Sequence, residues 1–454
     1  MAPQDELSPE AIKDRKVIAW VESHLGGSVE RCEKQSRWRG GWWVDVRIDG
    51  TLKNLYVREE RTEEFPPWPL EHEAGVLQIL ERHGVPAPHV YGICPDPHAI
   101  VMEALPGSTR FDPNQSEAER VSVLEHYAEV VAKMHAIDPQ ELVALGVKMP
   151  ESADEIALGC YRLCEDMYLR GKKRPDPRIE FLRRWIERNI PQHRRKVGIV
   201  AVDSGQFLHK DGKVTGLFDF EYGCLGDPLI DLAFIPGRLG SEGSGDVKPF
   251  FKRYAEVSGD TLTIDVLTFH RVWWGLATPL ITTANRDTPP AHGTYFEYIA
   301  WYVGPLMGAM LALADLKDLQ LDTHYQVPEP RPSRWAPMLD VMAARIPAPA
   351  PDEPYEHAEQ RKYVQFLKRM DAQREVEAEY CEGVAALLGR PVRDWQEADA
   401  ALEQFVLTAG PEHDDALIHL FYRWTLAQST TLLDGINYMY YLHHPFARFT
   451  DILA

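Results

Sequence analysis

VDSGQFLHKDGKVTGLFDFEYGCLGDPLIDLAF, residues 202–234, is the stretch on which the reading of this chain turns. Two short β-rich runs, FLHK and KVTGLF, flank Asp211-Gly212, a dipeptide that tolerates the positive φ values of a tight hairpin turn. The second run stops at Asp219, after which Glu221, Asp227 and Asp231 recur among glycines. A crowd of acids at the end of one strand calls for a cation to bind or backbone amides to hold.

The whole chain sets bounds on the answer. Its 454 residues, 44% of them hydrophobic, suffice for a sizeable core and suggest two or three domains. The formal net charge of −20 argues against a nucleic-acid partner, since phosphate neutralisation needs clustered Lys and Arg. The opening MAPQDELSPEAIKDRK lacks the basic flank and apolar stretch of a signal peptide, and no uninterrupted apolar run reaches the length of a membrane span. A cytoplasmic protein without membrane contact is the expectation. Of six cysteines only Cys160 and Cys164 are close, at helical spacing, and they read as buried apolar side chains.

Working outward, WWVDVRI (42–48) and LYVRE (55–59) form a hairpin around DGTLKN, and LEHEAGVLQILERHG (70–84) has the periodicity of an amphipathic helix. VPAPHVYGI and AIVMEALPG add two strands, so the first hundred residues read strand, strand, helix, strand, strand. From SEAERVSVLEHYAEVVAKMHAI onward helices dominate, the first opening on a Ser116/Glu119 capping box. KPFFKRYAEVSG, VLTFHRVWWGLATPLITTAN and YFEYIAWYVGPLMGAMLALADL read as buried helices. Eight prolines in 326–355 mark a linker or strap, beyond which three helices are expected.

This layout is that of a protein-kinase-like α+β fold, and 202–234 resembles the catalytic core of the aminoglycoside phosphotransferase and choline kinase family. There a His-x-Asp-x-x-x-x-Asn loop precedes a hairpin, then Ile-Asp-[Phe/Trp]-Glu and Gly-Asp-Pro-x-x-Asp-Leu-Ala; FDFEYGCLGDPLIDLA carries the second half. The resemblance spans roughly 20–320 and implies domains at 1–105 (nucleotide-binding N-lobe) and 106–325 (catalytic, acceptor-binding C-lobe), with the linker at 326–355 and a helical module at 356–454. It implies Asp219 as magnesium ligand, Asp203 as the base that receives the acceptor's proton, and Asp231 as the brace of the catalytic loop. Glu221 and Asp227 stay open between turn capping and contact with a second metal or the substrate.

The chain departs from the family pattern at three places. Ala201 stands where the family has His, and Gln206 stands three residues after Asp203 where the family has Asn five after. Gln206 is assigned as second metal ligand, its extra methylene offsetting the shorter loop. The strand lysine that pairs with nucleotide phosphates is replaced by Arg58, whose helix partner is Glu73. By the same resemblance SRWRGGWWVDV (36–46) covers the phosphates through Gly40 and Gly41, and Met102, Glu103, Ala104 and Leu105 form the hinge for the base of ATP or GTP. His135 is read as structural.

The same resemblance implies that acceptor recognition falls to 150–195 and 245–320. The second segment carries Phe269, Trp273, Trp274, Tyr295, Tyr298, Trp301 and Tyr302; a stripe at this spacing is core unless part of it lines a cleft, in which case a flat, apolar or cationic acceptor fits. The tail either packs across the body, closing the acceptor cleft, or pairs with another subunit as a homodimer. The sequence therefore predicts a phosphotransferase moving the γ-phosphate of magnesium ATP or GTP to a hydroxyl of a small molecule. The three departures support an alternative, a degenerate relative that binds nucleotide or metabolite without turnover.

Overall fold

The protein's structure, a computed structural model, describes residues 8–35, 39–61, 68–289, 295–326, 334–350, 353–372, 375–432 and 447–454. The first lobe is built on a five-stranded antiparallel sheet of order β1-β2-β3-β5-β4, with β1 at Ser28–Lys34, β2 at Gly41–Ile48, β3 at Thr51–Glu59, β4 at Val90–Pro95 and β5 at His98–Glu103. The β2–β3 turn needs only Asp49 and Gly50, both at positive φ (48° and 79°), so the strands run closer to each other's ends than the six-residue turn expected from DGTLKN.

Two elements were not expected. Helix α1 (Pro9–Leu25) is capped by the Ser8 side chain, starts on Pro9 and ends at Gly26 with φ 69°. It lays Val17, Trp20 and Val21 on the sheet face formed by Trp42, Val44, Val46, Leu55 and Val57. Strand β1 is polar and mostly exposed along its length, so it offers no apolar alternation to read. On the other face sits α2 (Leu70–Arg82), joined to the second lobe's core through Val76, Leu77, Ile79 and Leu80.

The second lobe begins with α3 (Glu117–His135), where both hydrogen bonds of the Ser116/Glu119 capping box are present. Four helices follow: α4 (Gln140–Val143), α5 (Ala153–Leu158), α6 (Tyr161–Gly171) and α7 (Pro177–Arg188). Strand β6 (Gly198–Val200) pairs with β9 (Cys224–Gly226), and β7 (Phe207–Lys210) pairs with β8 (Lys213–Leu217). These two small ladders hold the 201–206 loop beside the 218–223 turn. After them come α8 (Leu229–Ser241), α9 (Lys248–Ser258), α10 (Ile264–Asp287) and α11 (Tyr295–Leu316).

Helices α10 and α11 pack so closely that a Cβ on Gly275 would fall 2.8 Å from the Pro305 carbonyl oxygen. α11 is long and apolar enough to cross a membrane, contrary to the expectation that no segment is, but 72% of its most apolar window is buried inside the protein, as in a core helix.

Within the expected linker, α12 (Ala336–Arg345) forms with Pro337 in its first turn, where the missing N–H of proline costs nothing. The tail contains α13 (Tyr355–Ala372), α14 (Glu375–Leu388), α15 (Trp395–Thr408), α16 (Asp414–Leu432) and α17 (Phe449–Leu453), two more than expected. It shares one core with the second lobe: Tyr380, Val384, Leu402, Leu417 and Phe421 join Ile179, Phe181, Tyr302 and Met310 in a single apolar cluster. The tail aromatics of YMYYLHH, with His443 and His444, lie outside the described residues, as do Ser36, Arg37 and Trp38 of the expected phosphate-covering loop.

Candidate active site

The turn after β8 and the loop after β6 meet where the lobes join. Asp219 has φ 68° and Val202 φ 67°, left-handed values that cost a non-glycine residue roughly 1 kcal/mol or more and persist only under strong local constraint. The constraint on the loop is Asp231, fully buried at the start of α8. Its carboxylate accepts from the amides of Ala201 (3.0 Å) and Val202 (2.8 Å), while its carbonyl accepts from the Ser204 hydroxyl. His135 completes this arrangement from α3, with Nε2 3.0 Å from Asp231 Oδ2 and Nδ1 2.8 Å from the Tyr254 hydroxyl.

The braced loop presents Asp203 and Gln206 to Asp219. Gln206 Nε2 donates to Asp203 Oδ2 (2.7 Å) and to Asp219 Oδ2 (2.8 Å), so a single amide joins the two carboxylates. The other oxygen of Asp203 accepts from Arg238 of α8 at 2.7 Å. Burial lifts the Asp203 carboxyl above its ordinary value; Arg238 opposes that lift and the Asp219 charge adds to it.

Beside Asp219 the site becomes a dense ionic cluster. Arg58, on β3, donates to Glu73 of α2 (2.5 Å) and to Asp219 Oδ1, and it stands 3.5 Å from Glu221. Glu221 also accepts from Arg39 (3.0 Å) and Arg61 (2.5 Å). Burial would raise the Asp219 carboxyl, but Arg58, then Arg39 and Arg61, overturn this and hold it well below the usual carboxylate range. Arg39, by contrast, is pulled down to about 10 by burial and by the neighbouring Arg58 charge.

Glu221 and Asp227 are both held by arginines, and Glu221 also lines the cleft beside Asp219. Glu221 is an acceptor for arginines from the first lobe, joining the lobes across the turn. Asp227, with no exposed surface, accepts from Arg194 Nε and Nη2, each at 2.7 Å, and from the Leu229 amide at 3.1 Å. Gly40 and Gly41 lie at the start of β2, where a Cβ on Gly40 would collide with the Glu59 side chain and one on Gly41 would approach the Tyr56 hydroxyl at 3.0 Å. At the expected hinge, Met102 is buried, the Glu103 and Ala104 amides already donate to the His89 and Asn54 carbonyls, and Leu105 packs on Gly216.

In front of Asp203 opens a cleft of about 350 Å³. Its polar wall is Arg61, Asp203, Gln206, Asp219, Glu221 and Arg238, and its apolar wall is Tyr222, Phe234, Trp274, Ile281, Trp301 and Pro305, interrupted by Glu242, Thr278, Thr282 and Glu297. The aromatic stripe therefore divides. Phe269, Trp273 and Tyr298 are core, Trp274 and Trp301 face the cleft, and Tyr295 and Tyr302 face a different cavity. Residues 150–195 supply none of the cleft lining. Arg39, Arg61 and Arg238 were not singled out in the sequence, because each is recruited by chain segments far from its own.

No group of three or more His, Cys, Asp or Glu that could hold a metal occurs among the described residues. Asp219 and the Gln206 carboxamide nonetheless offer two hard oxygens at one point, a set that suits magnesium when phosphates and water complete the shell. The amide would have to turn its oxygen where its nitrogen now lies, an assignment that a half-turn of the side chain reverses.

Residues 47–261 match the model of the phosphotransferase enzyme family. The chain also resembles the crystal structure of a Ralstonia eutropha protein named as an aminoglycoside phosphotransferase, with a TM-score of 0.52 and 18% identity, covering 67% of this chain and 98% of that one; the likeness is one of fold. An Arabidopsis thaliana protein named as acyl-CoA dehydrogenase IBR3 is 25% identical over 221 residues, 42% of this chain and 26% of that protein. Acyl-CoA dehydrogenase family member 10 of Mus musculus is 26% identical over 180 residues, 36% of this chain and 16% of that protein. The chain thus spans about a quarter or less of the length of these curated relatives.

Proposed function

We propose that the protein transfers the terminal phosphoryl group of a nucleoside triphosphate, with magnesium, to a hydroxyl of a small molecule that has an apolar or aromatic body. The observation that carries this reading is the meeting of Asp203 and Asp219 on one amide at the mouth of a cleft walled by aromatic side chains. Phosphoryl transfer asks the protein mainly for position and electrostatics. Asp203, with a carboxyl lifted by burial, is the group to orient the acceptor hydroxyl and take its proton; each of its oxygens keeps acceptor capacity beyond the bonds to Gln206 and Arg238. Asp219 and Gln206 would hold the magnesium, whose charge would offset that of the phosphates. Arg58, fixed by Glu73, would present its guanidinium to phosphate oxygens, with ATP or GTP accepted at the backbone around Leu105. The apolar wall formed by Trp274, Trp301 and Ile281 favours a flat or aliphatic acceptor over a heavily hydroxylated one.

The six cysteines carry no disulfide, which accords with a reducing compartment such as the cytoplasm. A second reading keeps nucleotide binding but not turnover. It is favoured by Arg58, already engaged by Glu73, Asp219 and Glu221, because an incoming triphosphate must draw it from Asp219. Product formation from a labelled triphosphate, across a panel of hydroxylated acceptors with apolar bodies, decides between them. Transfer that needs magnesium and is lost in Asp203→Asn supports the first reading; nucleotide binding without transfer to any acceptor supports the second; absence of both overturns the assignment of the site.

A further inference from the structure

A second cavity, about 470 Å³ in volume, lies where the tail packs on the second lobe, between the start of α7, the end of α10, α11 and the helices α13–α16. It is distinct from the cleft: on α11, Glu297, Trp301 and Pro305 face the cleft, whereas Tyr295, Ile299, Tyr302 and Val303 face this cavity. Its size is in the range of sites for small ligands. Its chemistry is unusual for a packing defect, because two arginines are buried in its wall. Arg178 is 7% exposed and Arg286 5% exposed.

Neither cation is fully answered by the protein. Arg178 donates to Thr425 Oγ1 (3.3 Å) and Gln428 Oε1 (2.6 Å), both neutral, and has no carboxylate within ion-pair distance among the described residues. Arg286 donates through one nitrogen to Asp176 (2.9 Å), yet its Nε and Nη1 are buried without a hydrogen-bond partner. Both guanidinium groups lie against the Tyr302 ring, 4.7 Å and 3.8 Å from its centroid. A buried cation short of hydrogen bonds is costly, and two on one ring add mutual repulsion. Asp176 and Asp399 help offset the cost of burial at Arg178, but they leave the hydrogen-bonding capacity of Arg286 unfilled. Asp176 is taken up by the Tyr302 hydroxyl and Arg286; Asp287 stands 4.0 Å from Arg286 Nε, too far for a hydrogen bond, and accepts from Arg174 at 2.6 Å; Asp399 accepts from Tyr380 and is lifted by burial to about 6; and Glu377 is exposed. The rest of the lining is aromatic, with Tyr380 stacked on Trp424 at 4.4 Å and Trp395 beside them.

We propose that this cavity is a binding site for a small molecule that joins a carboxylate or a phosphate monoester to a flat apolar body, with the anion seated on Arg178 and Arg286. The guanidinium fork fits both anions bidentately, and the rings supply apolar area and faces for stacking. The site stands apart from the phosphotransfer reading and holds or fails without it.

The test is calorimetric titration of the full chain with 2-naphthoate, 2-naphthyl phosphate and the neutral 2-naphthalenemethanol, at concentrations up to about 1 mM, where even weak specific binding registers. Binding of at least one anion, at least tenfold tighter than the alcohol, is expected; which anion binds tighter distinguishes the two headgroups. Arg178→Gln and Arg286→Gln should each weaken it tenfold or more, while Arg238→Gln in the cleft leaves it unchanged. Should the glutamine variants not fold, Arg178→Lys keeps the charge, loses the fork and should still weaken the anion selectively. The proposal is overturned if no anion binds, if the alcohol binds equally well, if the Arg178 variants match the parent, or if Arg238→Gln abolishes the binding and so places it in the cleft.

Discussion

The two walls of the cleft are built by opposite means. The polar wall is backed by an ion network assembled from four separate segments, in which Arg39, Arg58, Arg61, Glu73, Asp219 and Glu221 are each paired with a residue of another segment. The apolar wall comes mainly from three neighbouring helices, with Tyr222 added from the turn, and its side chains would be core if the cleft were closed. In the first wall geometry is set by hydrogen bonds, so loss of a single partner strands a buried charge. In the second it is set by packing, so truncation removes surface but leaves the frame. The polar wall should therefore respond to small substitutions in an all-or-none fashion, and the apolar wall by degrees.

The sharpest contrast lies inside the polar wall. Asp203→Asn should lower the turnover number by about 10²–10⁴ while nucleotide affinity stays near that of the parent, since a general base acts on the reacting proton alone. Asp219→Asn should instead abolish magnesium-dependent nucleotide binding. Parallel turnover and binding measurements check this, and equal loss of binding in both variants would erase the distinction between base and metal ligand.

Next in size is the network's contribution to stability. Glu73 is 2% exposed and answers Arg58 and Arg39, so Glu73→Gln should cost about 1–3 kcal/mol in urea unfolding, because a hydrogen bond to a charged group is weakened while Asp219 and Glu221 keep both arginines paired. Glu71, two residues earlier with a side chain 55% exposed and paired only with His98, should cost under about 1 kcal/mol when changed to Gln. A comparable loss at both positions would show that Arg58 is stabilised by something other than its helix partner.

The apolar wall is expected to yield less. Trp301→Ala should raise KM for an apolar acceptor about tenfold, with nucleotide affinity and fold stability little changed, because the ring only borders the cleft. A fall in turnover with KM unchanged would instead place Trp301 in the positioning of the reacting groups.

These walls also differ in how far they could be read from the sequence. FDFEYGCLGDPLIDLA announces Asp219 and Asp231 because the turn, the strand end and the loop brace are local, and local geometry leaves a spaced motif. The hairpin, α2, α3 with its capping box, and α9 to α11 are legible for a similar reason, as periodicity and caps are properties of a segment. Arg39, Arg61 and Arg238 are illegible because an arginine looks alike whether it faces water or a carboxylate 35, 160 or 182 residues away. β1 was missed because an edge strand with a polar sequence has no period to detect, and α12 because proline density conceals that Pro337 begins a helix. The division of the aromatic stripe depends on how α10 and α11 rotate against each other, and that is settled only in three dimensions.

The smallest expected effect bears on what joins the two walls. Arg238 extends from α8, beside Phe234 of the apolar wall, to Asp203 of the polar one. Burial raises the Asp203 carboxyl and Arg238 lowers it, and the base works only when deprotonated. Turnover should therefore fall as pH falls through the Asp203 titration, giving the pH–rate profile an acid limb. Arg238→Gln removes the lowering influence, so the limb should move to higher pH. Both side chains are about a quarter exposed (26% and 27%), and solvent screens the pair, so the displacement should stay under about one pH unit. Raising the salt concentration should move the limb of the parent protein in the same direction, since screening weakens the same attraction. A limb that stays in place, or moves to lower pH, would mean that the titrating group is not Asp203 and that Arg238 acts on the acceptor instead.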